Sequence, residues 1–378
     1  MNLDIYKSDI ELVKILNSTT YPKLTMKGSV SDKNILALKA LQTRLKNLSD
    51  FFKKKYDPDY GIFKSARASG NPVGRTGILR RVWSGIYKGT YNKQYSAQIS
   101  FVINTEDECL DVGFYFGRAS SQDMKKPERI KLEDNLKQLG FLLFKSIGES
   151  DDLKSKYQML FDLGFRASVK GERVNPEKWL SNTIDDPKHS SITISLYPDS
   201  TGLINLLDID ACVALAIPLM LDLPDDINTI SNHRTKRTIS PLTAEQRAKQ
   251  AEMRAKIGLE GEKFAMDLEM KNLILQGLER KGYPDHKALI SDNYGYDILS
   301  HNGSTDIYIE VKTTSRLKGE YLSEVFFMSV PEYKFYNDHI STYKLYRVYD
   351  IFGDPELHEI DLNLITPEIN GYKMIIPR

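Results

Sequence analysis

Between Tyr296 and Thr314 the chain reads Tyr-Asp-Ile-Leu-Ser-His-Asn-Gly-Ser-Thr-Asp-Ile-Tyr-Ile-Glu-Val-Lys-Thr-Thr. Asp297 precedes the triplet Glu310-Val311-Lys312 by thirteen residues, with Asn302-Gly303 between them. Two acids and an amine brought together can hold a divalent cation, lower the pKa of a bound water and neutralise charge on a phosphodiester as it is cleaved. Mg2+ takes oxygen ligands in near-octahedral geometry and keeps several waters, so Asp297, Glu310 and the backbone carbonyl of Val311 would be an adequate protein contribution, with Mn2+ able to substitute. Lys312 would position or help deprotonate the water and offset negative charge in the transition state.

These residues can meet only if the chain folds back between them. Asn-Gly flanked by alternating apolar residues is the strongest short-range hairpin signal, since both turn positions of a type I′ turn need positive φ. A two-residue loop pairs His301 with Ser304 and sets Asp297 opposite Tyr308. Because strand side chains alternate with period two, Tyr308, Glu310 and Lys312 share a face, and Glu310 becomes the diagonal neighbour of Asp297, about 7–8 Å away at the backbone.

The elements around the hairpin have their own signals. Thr243 followed by Gln246 is a capping-box pattern opening a polar helix to about Lys256, with an interruption expected at Gly258. A second helix is predicted from about Glu260 to Arg280, stopped by Gly282 with Pro284 behind it. A strand near Ala288, a helix opened by Ser329 with Glu332 at the capping-box position, and a strand from Leu345 to Tyr349 complete this region.

Earlier in the chain, apolar spacing predicts helices around Ile5–Leu16, Ile35–Leu48, Leu132–Ile147 and Leu203–Leu221, with strands at Tyr95–Ile103, Leu110–Gly117 and Ser191–Tyr197. The expected organisation is an α+β domain over 1–225, a basic linker and helix over 226–256, and a third region over 257–378. The apolar run Ala211–Leu221 contains Pro218 and is too short to span a bilayer, which takes about 20 residues, so it reads as a buried helix. Acids in the first residues argue against an export signal, so a cytoplasmic chain with no membrane contact is expected. Cys109 and Cys212 are too few for a disulfide framework or a zinc site and read as core residues in a reducing compartment.

Net charge is only +1 over 378 residues, but it is unevenly distributed. Residues 51–95 carry a local +8 and residues 228–257 a local +5, leaving −12 for the remainder. Basic patches on an otherwise acidic body suit a polyanion partner. In the first patch Arg75, Arg80, Arg81, Lys88 and Lys93 are interleaved with aromatics including Trp83, a mixture fitted to phosphate contact and stacking. The run Lys64–Gly77, rich in Gly and Arg, reads as a surface loop. In the second patch Arg234, Lys236 and Arg237 precede Arg247, Lys249, Arg254 and Lys256, a possible backbone clamp or simply a solvated basic face. His286, His301 and His339 read as ordinary histidines, though His301 adjoins the turn and could touch substrate. No Gly-x-Ser-x-Gly or phosphate-cradling Gly-x-x-x-x-Gly-Lys-Ser/Thr run is present.

Taken together, Gly258-Leu-Glu-Gly261-Glu262-Lys-Phe264-Ala265, Gly295-Tyr296-Asp297-Ile298 and Ile309-Glu310-Val311-Lys312-Thr313-Thr314 resemble the PD-(D/E)XK nuclease core, in its Mrr-like branch, over roughly residues 256–355. Tyr296 stands where that motif has its proline. The resemblance implies an α/β carboxy-terminal domain with a mixed sheet flanked by helices, catalytic residues Asp297, Glu310 and Lys312, and a helix acid, Glu262 or less closely Glu260. The amino-terminal region is faintly similar to the amino-terminal module of McrB-type restriction proteins, without a motif that carries residues over. The implied activity is Mg2+-dependent cleavage of double-stranded DNA in restriction or phage defence, by a homodimer when cutting both strands, with a companion methyltransferase as a further partner. The competing expectations are a catalytically inactive DNA-binding or sensing module that recruits another effector, and a nuclease acting on RNA or single strands.

Overall fold

The computed structural model describes residues 3–18, 33–57, 61–67, 82–117, 124–225, 241–290, 294–365 and 367. The chain divides into two compact units, Met1–Met253 and Arg254–Arg378.

The first unit opens with β1 (Ile5–Tyr6), α1 (Lys7–Ser18) and α2 (Lys33–Tyr56). Its main sheet comprises β2 (Phe63–Arg67), β3 (Trp83–Lys88), β4 (Ala97–Asn104), β5 (Cys109–Phe116), β6 (Arg166–Val169), β7 (Glu172–Val174) and β8 (Ser190–Leu196). These pair antiparallel in the order β2-β3-β4-β5-β8-β6-β7. Helices α3 (Lys126–Glu149), α4 (Asp151–Asp162) and α5 (Pro176–Asp185), then β9 (Leu203–Ile204) paired with β1, and α6 (Leu206–Asp222) complete it.

Apolar residues at helical spacing in α2, from Ile35 through Leu38, Leu41, Leu45 and Leu48 to Phe52, are buried, and Phe52 stacks on Phe101 of β4 at 5.4 Å. Trp179 of α5 stacks on Phe116 of β5 at 6.1 Å. Helix α6 starts where Asn205 accepts from the Asp208 amide at 3.0 Å and is buried at every residue from Ala211 to Met220, as its unbroken apolar run requires. Among the described residues no helix is long and apolar enough to cross a membrane. Cys109 and Cys212 are free and buried; burial pushes the Cys109 thiol up to about 12 and raises that of Cys212 as well, so both are inert.

The basic aromatic stretch departs from expectation. Residues 64–67 are part of strand β2 and not of a surface loop, because they pair with β3; the rest of that Gly- and Arg-rich run, 68–77, lies outside the described residues. Strand β3 lies between β2 and β4, so its alternate side chains enter the core.

The second unit is an α/β arrangement of helices on a mixed sheet. Helix α7 (Ala244–Leu275) begins at the capping box of Thr243 and Gln246, whose reciprocal bonds measure 3.0 and 3.2 Å, and continues across the division of the chain into the second unit. It is one helix where two were expected: a Cβ at Gly258 would meet only Glu262 Oε1, at 3.9 Å, and the glycine does not break the helix. It stops earlier than expected, at Gly277 with φ +66, where Leu278 N donates to Leu273 O at 2.8 Å.

Strands β10 (Asp285–His286), β11 (Ile298–His301), β12 (Asp306–Thr313), β13 (Tyr343–Tyr349) and β14 (Glu356–Ile360) lie side by side in that order. Only β12 and β13 run parallel, joined through α8 (Val330–Asp338). Ile307, Ile309 and Val311 pack with Ala265 of α7, Ile298, Tyr346 and Val348. This leaves Tyr308, Glu310 and Lys312 on the opposite face.

Helix α7 approaches β12 closely at Gly261, where an added Cβ would lie 1.8 Å from Thr313 Oγ1. Gly261→Ala is therefore expected to destabilise the second unit by about 1–3 kcal/mol through overpacking. Thermal unfolding of the variant checks this, with Gly258→Ala, whose added Cβ meets nothing tighter than 3.9 Å, as the comparison expected to be unchanged or stabilised by up to about 1 kcal/mol.

Candidate active site

The hairpin between β11 and β12 does not use Asn302-Gly303 as a two-residue turn. Asn302 instead folds its side chain over the loop: its Oδ1 accepts from Ser304 N at 3.0 Å and Thr305 N at 2.9 Å, and only Gly303 has positive φ, +91. The loop is thus four residues, 302–305, and His301 pairs with Asp306, Leu299 with Tyr308 and Ile298 with Ile309. The ladder stops at Ile298, so Asp297 stands just ahead of β11, near enough for its charge to act on Glu310. The slip is two residues, an even number, so each side chain keeps the face the period-two count assigned it.

The β11 ladder ends where Asp297 N donates to Ile309 O at 2.9 Å. The next amide of β12, Val311 N, donates to Asp297 Oδ2 at 2.8 Å, which fixes the carboxylate against the strand. Ahead of it Gly295, with φ +78, makes the turn; a side chain there would press on Phe335 at 2.8 Å. Glu310 is buried, 2% exposed, with Oε1 2.6 Å from Lys312 Nζ. Lys312 also reaches Glu332 Oε2 of α8 at 2.9 Å. Glu262 of α7 is bound by His286 of β10, Nε2 to Oε2 at 2.6 Å, and its charge acts on Asp297. Glu260 is engaged by Lys263 at 2.9 Å.

Acid outnumbers base here. Burial, helped by the charge of Glu262, pushes Asp297 up to about 6. Burial and then Asp297 push Glu310 up to about 8, against the pull of Lys312. Burial lowers Lys312, but the carboxylates of Glu310 and Glu332 outweigh it and the net shift is upward. Among the described residues the Asp297 carboxylate has one hydrogen bond, from a neutral amide, and no group of three or more His, Cys, Asp or Glu side chains is close enough to form a metal cluster. The donors available to a cation are therefore two acids and strand backbone, a set suited to a hard ion that keeps much of its water.

Glu332 and His286 were not singled out as site residues. Glu332 was legible only as a helix cap, and its capping box is present, with Ser329 N donating to Glu332 Oε2 at 2.8 Å and Glu332 N to Ser329 Oγ at 3.4 Å. A parallel crossover begins its helix near the carboxyl end of the preceding strand, which could have pointed to Lys312. His301 is buried against Tyr283, ring centroids 4.9 Å apart, and its Nδ1 accepts from Gly303 N at 3.1 Å.

All of the basic candidates except Arg254 and Lys256 are in the first unit. Lys88 is 3% exposed; its ammonium donates to the carbonyls of Leu221 and Leu223 and pairs with Asp225 at 3.1 Å, so it ties down the end of α6 and cannot reach a phosphate. Trp83 and Lys93 are half-buried, Trp83 beside Val102 in the sheet. Arg75, Arg80, Arg81, Arg234, Lys236 and Arg237 lie outside the described residues. In α7, Lys249 pairs with Asp208 and Glu252, both at 2.8 Å, and Arg247 donates to Leu242 O, so these two are engaged within the first unit.

Residues 261–360 match the family model described as Protein NO VEIN, C-terminal, a family associated with restriction-endonuclease-like and defence proteins. The match begins at Gly261 and spans every acid and the lysine of the site. No curated protein and no solved structure matches the chain.

Proposed function

We propose that the second unit is a PD-(D/E)XK nuclease domain of Mrr-like type and that the chain is a Mg2+-dependent endonuclease acting on double-stranded DNA in restriction or phage defence. The observation that carries this reading is the buried Glu310 carboxylate with Lys312 on it, close to the Asp297 carboxylate that is fixed to Val311 N at the start of β11 and whose charge acts on Glu310. Asp297, Glu310 and the Val311 carbonyl would hold Mg2+, with Mn2+ able to replace it; the ion would activate a water and neutralise the scissile phosphate. Lys312 supplies the positive charge that faces the phosphate, and Glu262, oriented by His286, is the further acid beside Asp297. The match over 261–360 supports the class of domain, and the basic stretches of the chain support a nucleic-acid partner. Cutting both strands calls for two such sites, hence a homodimer at least during cleavage, in a cytoplasmic setting where a methyltransferase could protect host DNA.

The test is cleavage of duplex DNA by the full chain with Mg2+, set against Lys312→Ala. The wild type should cut and the variant should bind without cutting. Cutting by Lys312→Ala would overturn the site. Salt-dependent binding by the wild type without cleavage of methylated or unmethylated duplex, with either metal, would make the domain a binding module. Preferential cleavage of RNA or single strands in competition would change the substrate class.

A further inference from the structure

Lys312 does not hang from its strand alone. Its ammonium lies between Glu310 at 2.6 Å and Glu332 at 2.9 Å, and Glu332 belongs to a different element, the first turn of α8. The same Glu332 oxygen accepts the Ser329 amide at 2.8 Å, so the carboxylate is immobilised from both sides. Glu332 is also half-buried, which strengthens its hold compared with a surface pair.

We propose that Glu332 is a positioning residue for Lys312: it keeps the ammonium aimed across the acidic pair when Glu310 turns its charge to another cation. The inference rests on the nuclease reading above. The physical need is plain. A lysine carries four rotatable bonds and loses its aim if its single counter-ion is withdrawn. In this site Glu310 is both the partner of Lys312 and a candidate cation ligand, so it cannot serve the lysine in both states. Glu332 can, because its own position is set by the helix cap and not by the cation. The crossover helix thereby becomes part of the apparatus: the capping box at Ser329 fixes Glu332, Glu332 fixes Lys312, and Lys312 faces the phosphate.

Three variants separate this from a purely structural role for the cap. Glu332→Ala removes both the cap acceptor and the lysine partner. Glu332→Gln keeps an oxygen that can accept from Ser329 N and from Lys312. Ser329→Ala removes the hydroxyl side of the box but leaves the contact between Glu332 and Lys312. With full-length protein, duplex DNA and Mg2+, kcat of Glu332→Ala should fall about 10–100-fold at nearly unchanged KM, the range seen when the support of a metal-site residue is removed. Glu332→Gln should recover most of that loss, and Ser329→Ala should lower the melting temperature while keeping kcat near wild type. In parallel, the Lys312 ammonium cross-peak in proton–nitrogen spectra should be sharp in the wild type and broadened by Glu332→Ala. Equal losses of kcat in Ser329→Ala and Glu332→Ala, or full kcat in Glu332→Ala, would overturn the proposal while the wild type still cuts. A wild type that cuts no nucleic acid would instead remove the nuclease reading, and the positioning role with it.

Discussion

Asp297→Asn is expected to abolish Mg2+-dependent cleavage, lowering kcat by about 10^3-fold or more, equivalent to at least about 4 kcal/mol of transition-state stabilisation. The substitution is chosen because it disturbs little else. The Asn carbonyl can still accept from Val311 N, the one hydrogen bond of the Asp297 carboxylate among the described residues, so the end of β11 stays attached to β12. What disappears is the charge, and with it half of the acidic pair. Duplex binding should remain within a few-fold, because the basic residues proposed to meet phosphate lie elsewhere in the chain. Fluorescence anisotropy for binding and gel-resolved turnover for cleavage, on the same preparation, check both halves. An Asn variant that cuts at the wild-type rate would refute the assignment of Asp297.

The second large effect is a pH-dependent stability that a divalent cation reverses. Asp297 is held near 6 and Glu310 near 8, both above the usual carboxylate range of about 4. Between about pH 4 and pH 8 the folded protein therefore binds more protons than the unfolded chain, so the contribution of these groups is complete below about pH 4 and is lost as pH rises through 6 and then 8. Without divalent ions the second unit should melt at lower temperature at pH 8 than at pH 5.5. A cation needs both carboxylates ionised, so millimolar Mg2+ or Mn2+ should raise the melting temperature more at pH 8 than at pH 5.5. Glu310→Gln removes the larger shift while leaving Lys312 with Glu332. It should raise the metal-free melting temperature at pH 8, flatten the pH profile and lose most of the metal response, so the variant is more stable and inactive together. Melting that is independent of pH in the wild type, or a metal effect equal at both pH values, would contradict this.

The way the hairpin was and was not readable has a definite physical basis. The turn was misread because Asn302 serves through its side chain and not through a left-handed backbone. Glu310 and Lys312 nevertheless keep the face opposite Ile307, Ile309 and Val311, since a shift of two residues leaves the pleat in phase. Both capping boxes, at Thr243 and Ser329, are local patterns of four residues and were legible as such. Gly258 was misjudged because a single glycine costs a helix only about 1 kcal/mol, less than tertiary packing returns. Lys88 was misjudged for another reason: its partners lie more than 130 residues away, at Leu223 and Asp225, so no window of sequence shows that its ammonium is engaged.

By itself, then, the amino-acid sequence determined what is periodic or local: that Glu310 and Lys312 lie on one strand and share a face, where two helices begin, and that α6 is buried. The tertiary structure alone decided how those residues are held. Glu332 reaches Lys312 only because β12 and β13 run parallel and α8 returns between them, and His286 reaches Glu262 only because β10 joins the sheet beside β11. Alternation and capping act over a few residues, whereas contacts between elements depend on strand order and on how closely helices approach the sheet, and those are properties of the whole packed core.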